Sequence, residues 1–376
     1  MKEEKDVEKP LYYSDYLHLD KILSAQFPES AKYQEQAAHD ETLFIIVHQA
    51  FELWFKQILH ELDSVLDMLS GDRIDDNSEI MARIVQRLQR IARILHHTNG
   101  QFDILETMQP LDFLEFRGFL NPSSGFQSKQ FRLIEARLGL AMHKRYMPEH
   151  YKNTGAHHGG FSEYDHQEIT KAEEGFTLLK GIKKWLERMP FFDDQYWLGY
   201  AAKGETMHPF LSAYLDAYSL MQESVLKKVL SNPAISDDIK KKSAADFEKS
   251  IQSFRDLFID KGTDIFSAKE MTSGLFILLY KEYPVLRLPF EVINSLIEID
   301  EQMSAWRYRH YNMVKKTIGT RPGTGGSPGA AYLLGALQQN MIFNDLTLFP
   351  TYFVEKKNLP ELPKELNHYL SFVQMG

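Results

Sequence analysis

Between His39 and Leu69, apolar residues recur at steps of three and four and predict one long helix, opening near Asp40 and stopping at Gly71. Leu43, Ile46, Val47, Ala50, Leu53, Trp54, Ile58, Leu62, Val65, Leu66 and Leu69 form the expected core stripe. A second line at the same spacing, Phe44, His48, Phe51 and Phe55, is aromatic and carries one imidazole. A solvent face would not hold three Phe. That face looks either into a packed core, with His48 satisfied by a backbone partner, or into an apolar hollow with one polar demand, such as a flat ligand.

The remaining periodicity predicts more helices. Leu11–Leu23 reads as a short amphipathic helix, capped by Ser14 or Asp15 and made aromatic by Tyr12, Tyr13 and Tyr16. Such a segment needs a surface to lie on, and a neighbouring subunit would supply one. Gln26–Ala38 reads as a polar connector. Asp75–Met108 is a second long helix, followed by a short one over Leu111–Leu120 and another ending at Gly139. Met142–Gln167 reads as a loop, and Glu168–Arg188, Pro209–Leu230 and Ile235–Ile259 as helices. Ser267 with Glu270 forms a capping box ahead of Met271–Tyr280. Phe290–Ile318 is long and helical; a glycine-rich loop, Ala330–Asn344 and a short helix near Leu366–Val373 complete the chain. No strand alternation and no repeat stand out. The expected fold is all-α, a multi-helix bundle. It is read as one domain over 1–376, with an N-terminal arm over about 1–25 and a helical insertion over about 142–262.

Composition narrows the chemistry. The 376 residues carry a formal net charge of −9 with no strongly basic block, which argues against a nucleic-acid partner. No apolar run approaches the roughly 20 residues of a membrane helix, and the charged N-terminus lacks the apolar centre of a signal peptide. There is no cysteine, which removes thiolate nucleophiles, Cys-held metals and thiolate-ligated haem, and makes the reducing cytosol the expected compartment. Any metal must be held by carboxylates or by some of the 14 histidines.

Three further stretches carry polar residues that core packing does not explain. Phe113 and Arg117 lie one turn apart, so the guanidinium either forks onto a carboxylate beside a ring or pairs with Glu115. Trp306, His310, Met313 and Val314 share a helix face, which fits a haem axial ligand between apolar flanks and equally a buried structural histidine. The run Gly319–Gly329 is neither a Walker A loop nor a dinucleotide fingerprint; it is a plain flexible loop or one that closes over a ligand with Thr324 as hydroxyl donor. There is no Ser/His/Asp elbow, HExxH, EF-hand or paired-carboxylate motif. His96-His97 and His157-His158 are neighbours that point apart on a helix and make poor metal pairs.

Together, five blocks in order, YSDYLHLDKIL, HDETLFIIVHQAFELWFKQI, FRGFLNPSSGFQSKQFR, WRYRHYNMV and GTGGSPG, resemble the tryptophan 2,3-dioxygenase family. The resemblance implies an all-α fold, one haem b per subunit with ferrous iron in the active form, and a homotetramer built as a dimer of dimers. It implies oxidative cleavage of the indole C2–C3 bond of L-tryptophan by O2, giving N-formyl-L-kynurenine. His310 would be the axial ligand, and His48 would accept the indole N–H with Phe44 beside the ring. Arg117 would pair with the substrate carboxylate next to Phe113, and Thr324 would hold the amino-acid end. Ser124 and Gly125 would lie near the haem edge and the oxygen. Tyr13, Tyr16 and Leu17 would reach into a neighbour's pocket. The chain departs from the pattern at Phe113, where some bacterial members carry Tyr, and at Pro328, where Ser is more usual. A haem dioxygenase of another indole and a non-catalytic haem-binding protein are the alternative expectations.

Overall fold

The computed structural model describes residues 10–71, 78–148, 160–197, 207–324 and 329–371. These form helices and the turns between them, in the order α1 (Tyr13–Leu17), α2 (Leu19–Leu23), α3 (His39–Ser70), α4 (Glu79–Leu105), α5 (Pro110–Arg117), α6 (Lys129–Leu138), α7 (Glu163–Glu174) and α8 (Leu178–Glu187). Then come α9 (Asp194–Trp197), α10 (Pro209–Ser231), α11 (Asp237–Arg255), α12 (Ala268–Leu279), α13 (Arg287–Ile318), α14 (Ala330–Gln339) and α15 (Lys364–Ser371). No described helix is long and apolar enough to cross a membrane.

Three long helices carry the architecture. α4 lies between α3 and α13 and packs on both. Ser78 starts α4 by accepting the Met81 N–H at 3.2 Å. Ile84, Leu88, Ile91 and Leu95 then fall on one face and lose all contact with solvent. Each such burial contributes roughly 1.5–3 kcal/mol, which outweighs the modest intrinsic propensity of any single residue. α3 is tied at its start by Glu41. This fully buried carboxylate accepts the Glu29 N–H at 2.7 Å and the Ser30 N–H at 3.0 Å.

The helix pattern holds, with departures where a local cap or a missing core outweighs periodicity. Leu11–Leu23 is two short helices broken at His18, whose φ of +50° is left-handed; nothing in α1 or α2 is buried, so no core enforces one continuous helix. The connector Gln26–Ala38 contains a 3-10 turn, Glu29–Lys32, pinned by Glu41. The loop expected up to Gln167 ends earlier, because Ser162 caps α7 by accepting the Asp165 N–H at 3.1 Å. The helix expected over Glu168–Arg188 breaks at Gly175, and Thr177 caps a new one, accepting from the Lys180 N–H at 3.3 Å. The helix expected to Ile259 finishes in a π turn, Asp256–Asp260. That expected to Asn344 stops at Gln339, because the Asp300 carboxylate captures the Ile342 and Phe343 N–H groups. The capping box at Ser267 and Glu270 forms as expected. His157, His158 and Gly325–Pro328 lie outside the described residues.

The α3 stripe also divides differently. Ile46 and Leu53 are 48% and 55% exposed, whereas Phe51 and Phe55 of the second line are 5% and 3% exposed. The aromatic line is thus as much a structural face as the aliphatic one.

Candidate functional site

α3 and α13 bring their aromatic faces to one cavity of about 240 Å³. From α3 come Phe44, His48, Phe51 and Phe55; from α13 come Trp306, His310, Met313 and Val314. The spacing that put each set on one helix face is what delivers it to one wall. The Phe44 ring lies 4.1 Å from the His48 ring, and Trp306 lies 5.1 Å from His310. Phe102 of α4 lies 6.1 Å from His310, and Phe131 of α6 lies 4.7 Å from Trp306.

The two imidazoles are prepared differently. His48 Nδ1 lies 2.7 Å from the Phe44 carbonyl oxygen. A carbonyl can only accept, so Nδ1 carries the proton and Nε2 keeps a free lone pair. Burial pushes His48 below its ordinary pKa, against the opposing pulls of the Phe44 bond and the Glu52 carboxylate. His310 is half-buried and borders the same hollow. That burial, helped by His48 and Arg132, pushes it down to about 4. It is neutral at pH 7, the state a metal requires of an imidazole. Its Nδ1 is buried with no hydrogen-bond partner among the described residues, as is the Trp306 Nε1.

α5 adds Phe113 and Arg117 to the lining. Phe113 stands 5.7 Å from Phe44. Arg117 forms no ion pair with Glu115; its guanidinium donates to the Pro322 carbonyl. Thr324, from the same loop, donates its hydroxyl to the Ser123 carbonyl at 2.6 Å and also borders the cavity. Gly319, with φ of +64°, ends α13 and turns the chain into this loop, a conformation a side chain would resist. Ser124 and Gly125 border the cavity from a turn that Ser124 and Gln127 close as a capping box. Eight of the expected site residues thus share one hollow. Tyr13, Tyr16 and Leu17 are not among those that border it, and Tyr13 and Tyr16 are 75% and 67% exposed.

Sequence reasoning missed the charged floor. Glu135 of α6 is fully buried between Arg132 at 2.9 Å, Arg145 at 2.6 Å and Arg307 at 2.8 Å. Burial alone would raise its pKa, but the three guanidinium groups overcome that and hold it well below the usual carboxylate range. Arg307 stands one turn before His310, so this cluster fixes α13 where the imidazole leaves it. The signal was present: Phe131, Ile134, Glu135 and Leu138 share a face, and an acid on an apolar face demands buried partners. Glu52, one turn beyond His48, also borders the cavity and was overlooked.

The arrangement joins an apolar slot, a neutral imidazole with an unpaired nitrogen on one wall, an acceptor imidazole on another, and a guanidinium at one end. Known proteins match it along nearly the whole chain. Residues 2–353 match the family described as tryptophan 2,3-dioxygenase. A tryptophan 2,3-dioxygenase of Bdellovibrio bacteriovorus is 40% identical over 96% of this chain and 98% of its own length. One of Dictyostelium discoideum is 39% identical over 98% of this chain and 90% of its own. Tryptophan 2,3-dioxygenase B of Danio rerio is 36% identical over 96% and 86%. With the slot, its two imidazoles and this full-length likeness together, the chain belongs to the tryptophan 2,3-dioxygenase family.

Proposed function

We propose that this chain adds both atoms of O2 to L-tryptophan, breaking the indole C2–C3 bond to give N-formyl-L-kynurenine, with haem b held on His310. The observation that carries this reading is the pair of imidazoles, from α3 and α13, bordering one aromatic cavity with Arg117 beside them. The donor set fits haem. No described group of three or more His, Asp or Glu is arranged to hold a metal ion. A single neutral imidazole bordering a mostly apolar cavity suits an iron that brings its other ligands with it. When bound, the haem supplies the activation of oxygen.

The chain's own residues position the organic substrate. Phe44 and Phe113 wall the indole, and the free Nε2 of His48 accepts its N–H. Indole N–H is a poor acid, so this bond orients the ring more than it removes a proton. Arg117 forks onto the carboxylate, its Pro322 contact already fixing one edge of the guanidinium. Thr324 holds the amino-acid end of the substrate from the loop, and Ser124 and Gly125 flank the place where oxygen meets the ring. The net reaction consumes no protons or electrons: one oxygen ends on C2 as formyl and the other on C3 as ketone. Orientation of the C2–C3 bond is therefore the main service of the pocket.

The reading extends to one catalytic domain with a helical insertion, a cytosolic setting and a homotetramer. In the tetramer, Tyr13, Tyr16 and Leu17 pack into a neighbour. The support is an arm whose Leu11, Tyr13, Tyr16 and Leu23 are all more than half exposed, a surface that water disfavours.

The test is to reduce the haem-loaded protein, add L-tryptophan and oxygen, and follow the near-ultraviolet absorbance of the aromatic ketone. Product formation from L-tryptophan, with tryptamine a poor substrate, is expected. A haem spectrum without product overturns the reading in favour of a non-catalytic haem protein. Equal turnover of tryptamine overturns the role of Arg117.

A further inference from the structure

Glu52 is a carboxylate bordering an aromatic hollow, one turn beyond His48 on α3. Charge in such surroundings is costly without compensation. Among the described residues no cation pairs with it; neutral donors hold it instead. Ser128 Oγ donates to its Oε1 at 2.6 Å, and Gln130 Nε2 donates to its Oε2 at 2.8 Å. The same Gln130 nitrogen reaches the Glu52 main-chain carbonyl at 2.7 Å. Ser128 also caps α6, its Oγ accepting the Phe131 N–H at 3.3 Å. Immediately before it runs the turn that carries Ser124 and Gly125. One side chain therefore ties the Ser124–Gln130 segment to the helix that bears His48.

We propose that Glu52 is a positioning residue: it sets the separation between the wall carrying Ser124 and Gly125 and the wall carrying His48. This rests on the proposed function, in which indole and oxygen meet between those walls. A carboxylate suits the task because each of its oxygens serves one donor. An amide has one accepting oxygen, and its NH2 would face another donor, so Glu52→Gln retains part of the tie and Glu52→Ala none.

The experiment compares Glu52→Ala, Glu52→Gln and the pair Ser128→Ala with Gln130→Met, each haem-loaded. The readouts are KM against kcat for L-tryptophan and the C–O stretching band of the ferrous carbon monoxide complex. Glu52→Ala is expected to raise KM about 10-fold, the scale of one or two lost hydrogen bonds, and to broaden or split the carbonyl band. Glu52→Gln should fall between it and the parent. The Ser128/Gln130 pair should reproduce the Ala variant, and adding that pair to Glu52→Ala should change little more. An unchanged KM and carbonyl band in Glu52→Ala overturns the inference while leaving the haem reading intact. If Glu52→Ala does not fold, Gln130→Met alone decides by the same readouts, since it leaves α3 and the Ser128 cap of α6 in place. A parent protein that takes up no haem overturns the proposed function and this inference with it.

Discussion

Around Phe254 and Phe276 the aromatic rings close on one another, whereas between α3 and α13 they stand apart around a hollow. Both regions use the same side chains. In the first, Phe210 packs 5.2 Å from Phe276 and Phe254 packs 4.9 Å from Phe258. The phenols there are spent: Tyr214 donates to the Tyr352 carbonyl at 2.8 Å and Tyr280 to the Pro360 carbonyl at 2.7 Å. Burial pushes both phenols up, so they stay protonated and act only as anchors. In the second, His310 Nδ1, Trp306 Nε1 and Arg307 Nη1 are buried without a partner among the described residues. Several unsatisfied polar atoms gathered beside a void mark a wall built to receive something.

The comparison can be broken by substitution. The largest effect is expected for His310→Ala, which should lose or misligate the haem while the helices remain; an unchanged haem absorption spectrum would remove the axial assignment. Next, Phe254→Ala in the closed region should destabilise the fold by roughly 3–5 kcal/mol. Phe44→Ala, on the open wall, should cost clearly less, since part of its surface already meets a void. Urea unfolding of both reads the contrast, and equal losses would erase it. Arg117→Leu should raise KM for L-tryptophan on the scale of a lost charge-assisted pair, roughly 2–4 kcal/mol. The same variant should barely affect tryptamine; an equal effect on both would show that the guanidinium acts only through its Pro322 contact.

A subtler expectation concerns the joint between the regions. Asp300 of α13 holds the Ile342 and Phe343 N–H groups where the chain leaves the cavity wall for the closed core. Desolvation raises its pKa to about 6, against the pull of those N–H groups and Arg307. The unfolded value is lower, near the ordinary 3.8. Its contribution to stability is therefore fully present below about pH 4 and is lost as pH rises through about 6. Asp300→Asn, whose single oxygen can still accept both N–H groups, should flatten that part of the stability–pH curve. A curve of unchanged shape would mean that the carboxylate does not titrate there. The smallest effect is expected for His48→Ala: roughly a 10-fold loss of kcat/KM, with residual turnover, as for one orienting hydrogen bond. Complete loss with haem retained would make His48 an essential base instead.

Much of this was legible in advance. The aromatic line Phe44–His48–Phe51–Phe55 and the face Trp306–His310–Met313–Val314 were readable because helical periodicity is local. Glu135 was not, because an acid on an apolar face says that partners exist without saying which. Its three arginines are 3, 10 and 172 positions away. Nor was the break at His18 or the start of α7 at Ser162, where a local cap or the lack of a core overrode the periodic signal.

Taken alone, the sequence determined which residues share a helix face, and so the helical class, the aromatic walls and the two imidazoles. Side-chain direction along a helix repeats every few residues, and a reader needs no coordinates to follow it. Only the tertiary structure decided that those two faces meet across one void and that Arg117 and the Thr324 loop close on the same place. It also placed a charged cluster one turn from His310 and gave Glu52 its partners. Those facts depend on how helices far apart in the chain pack, and that packing is settled by the whole core at once.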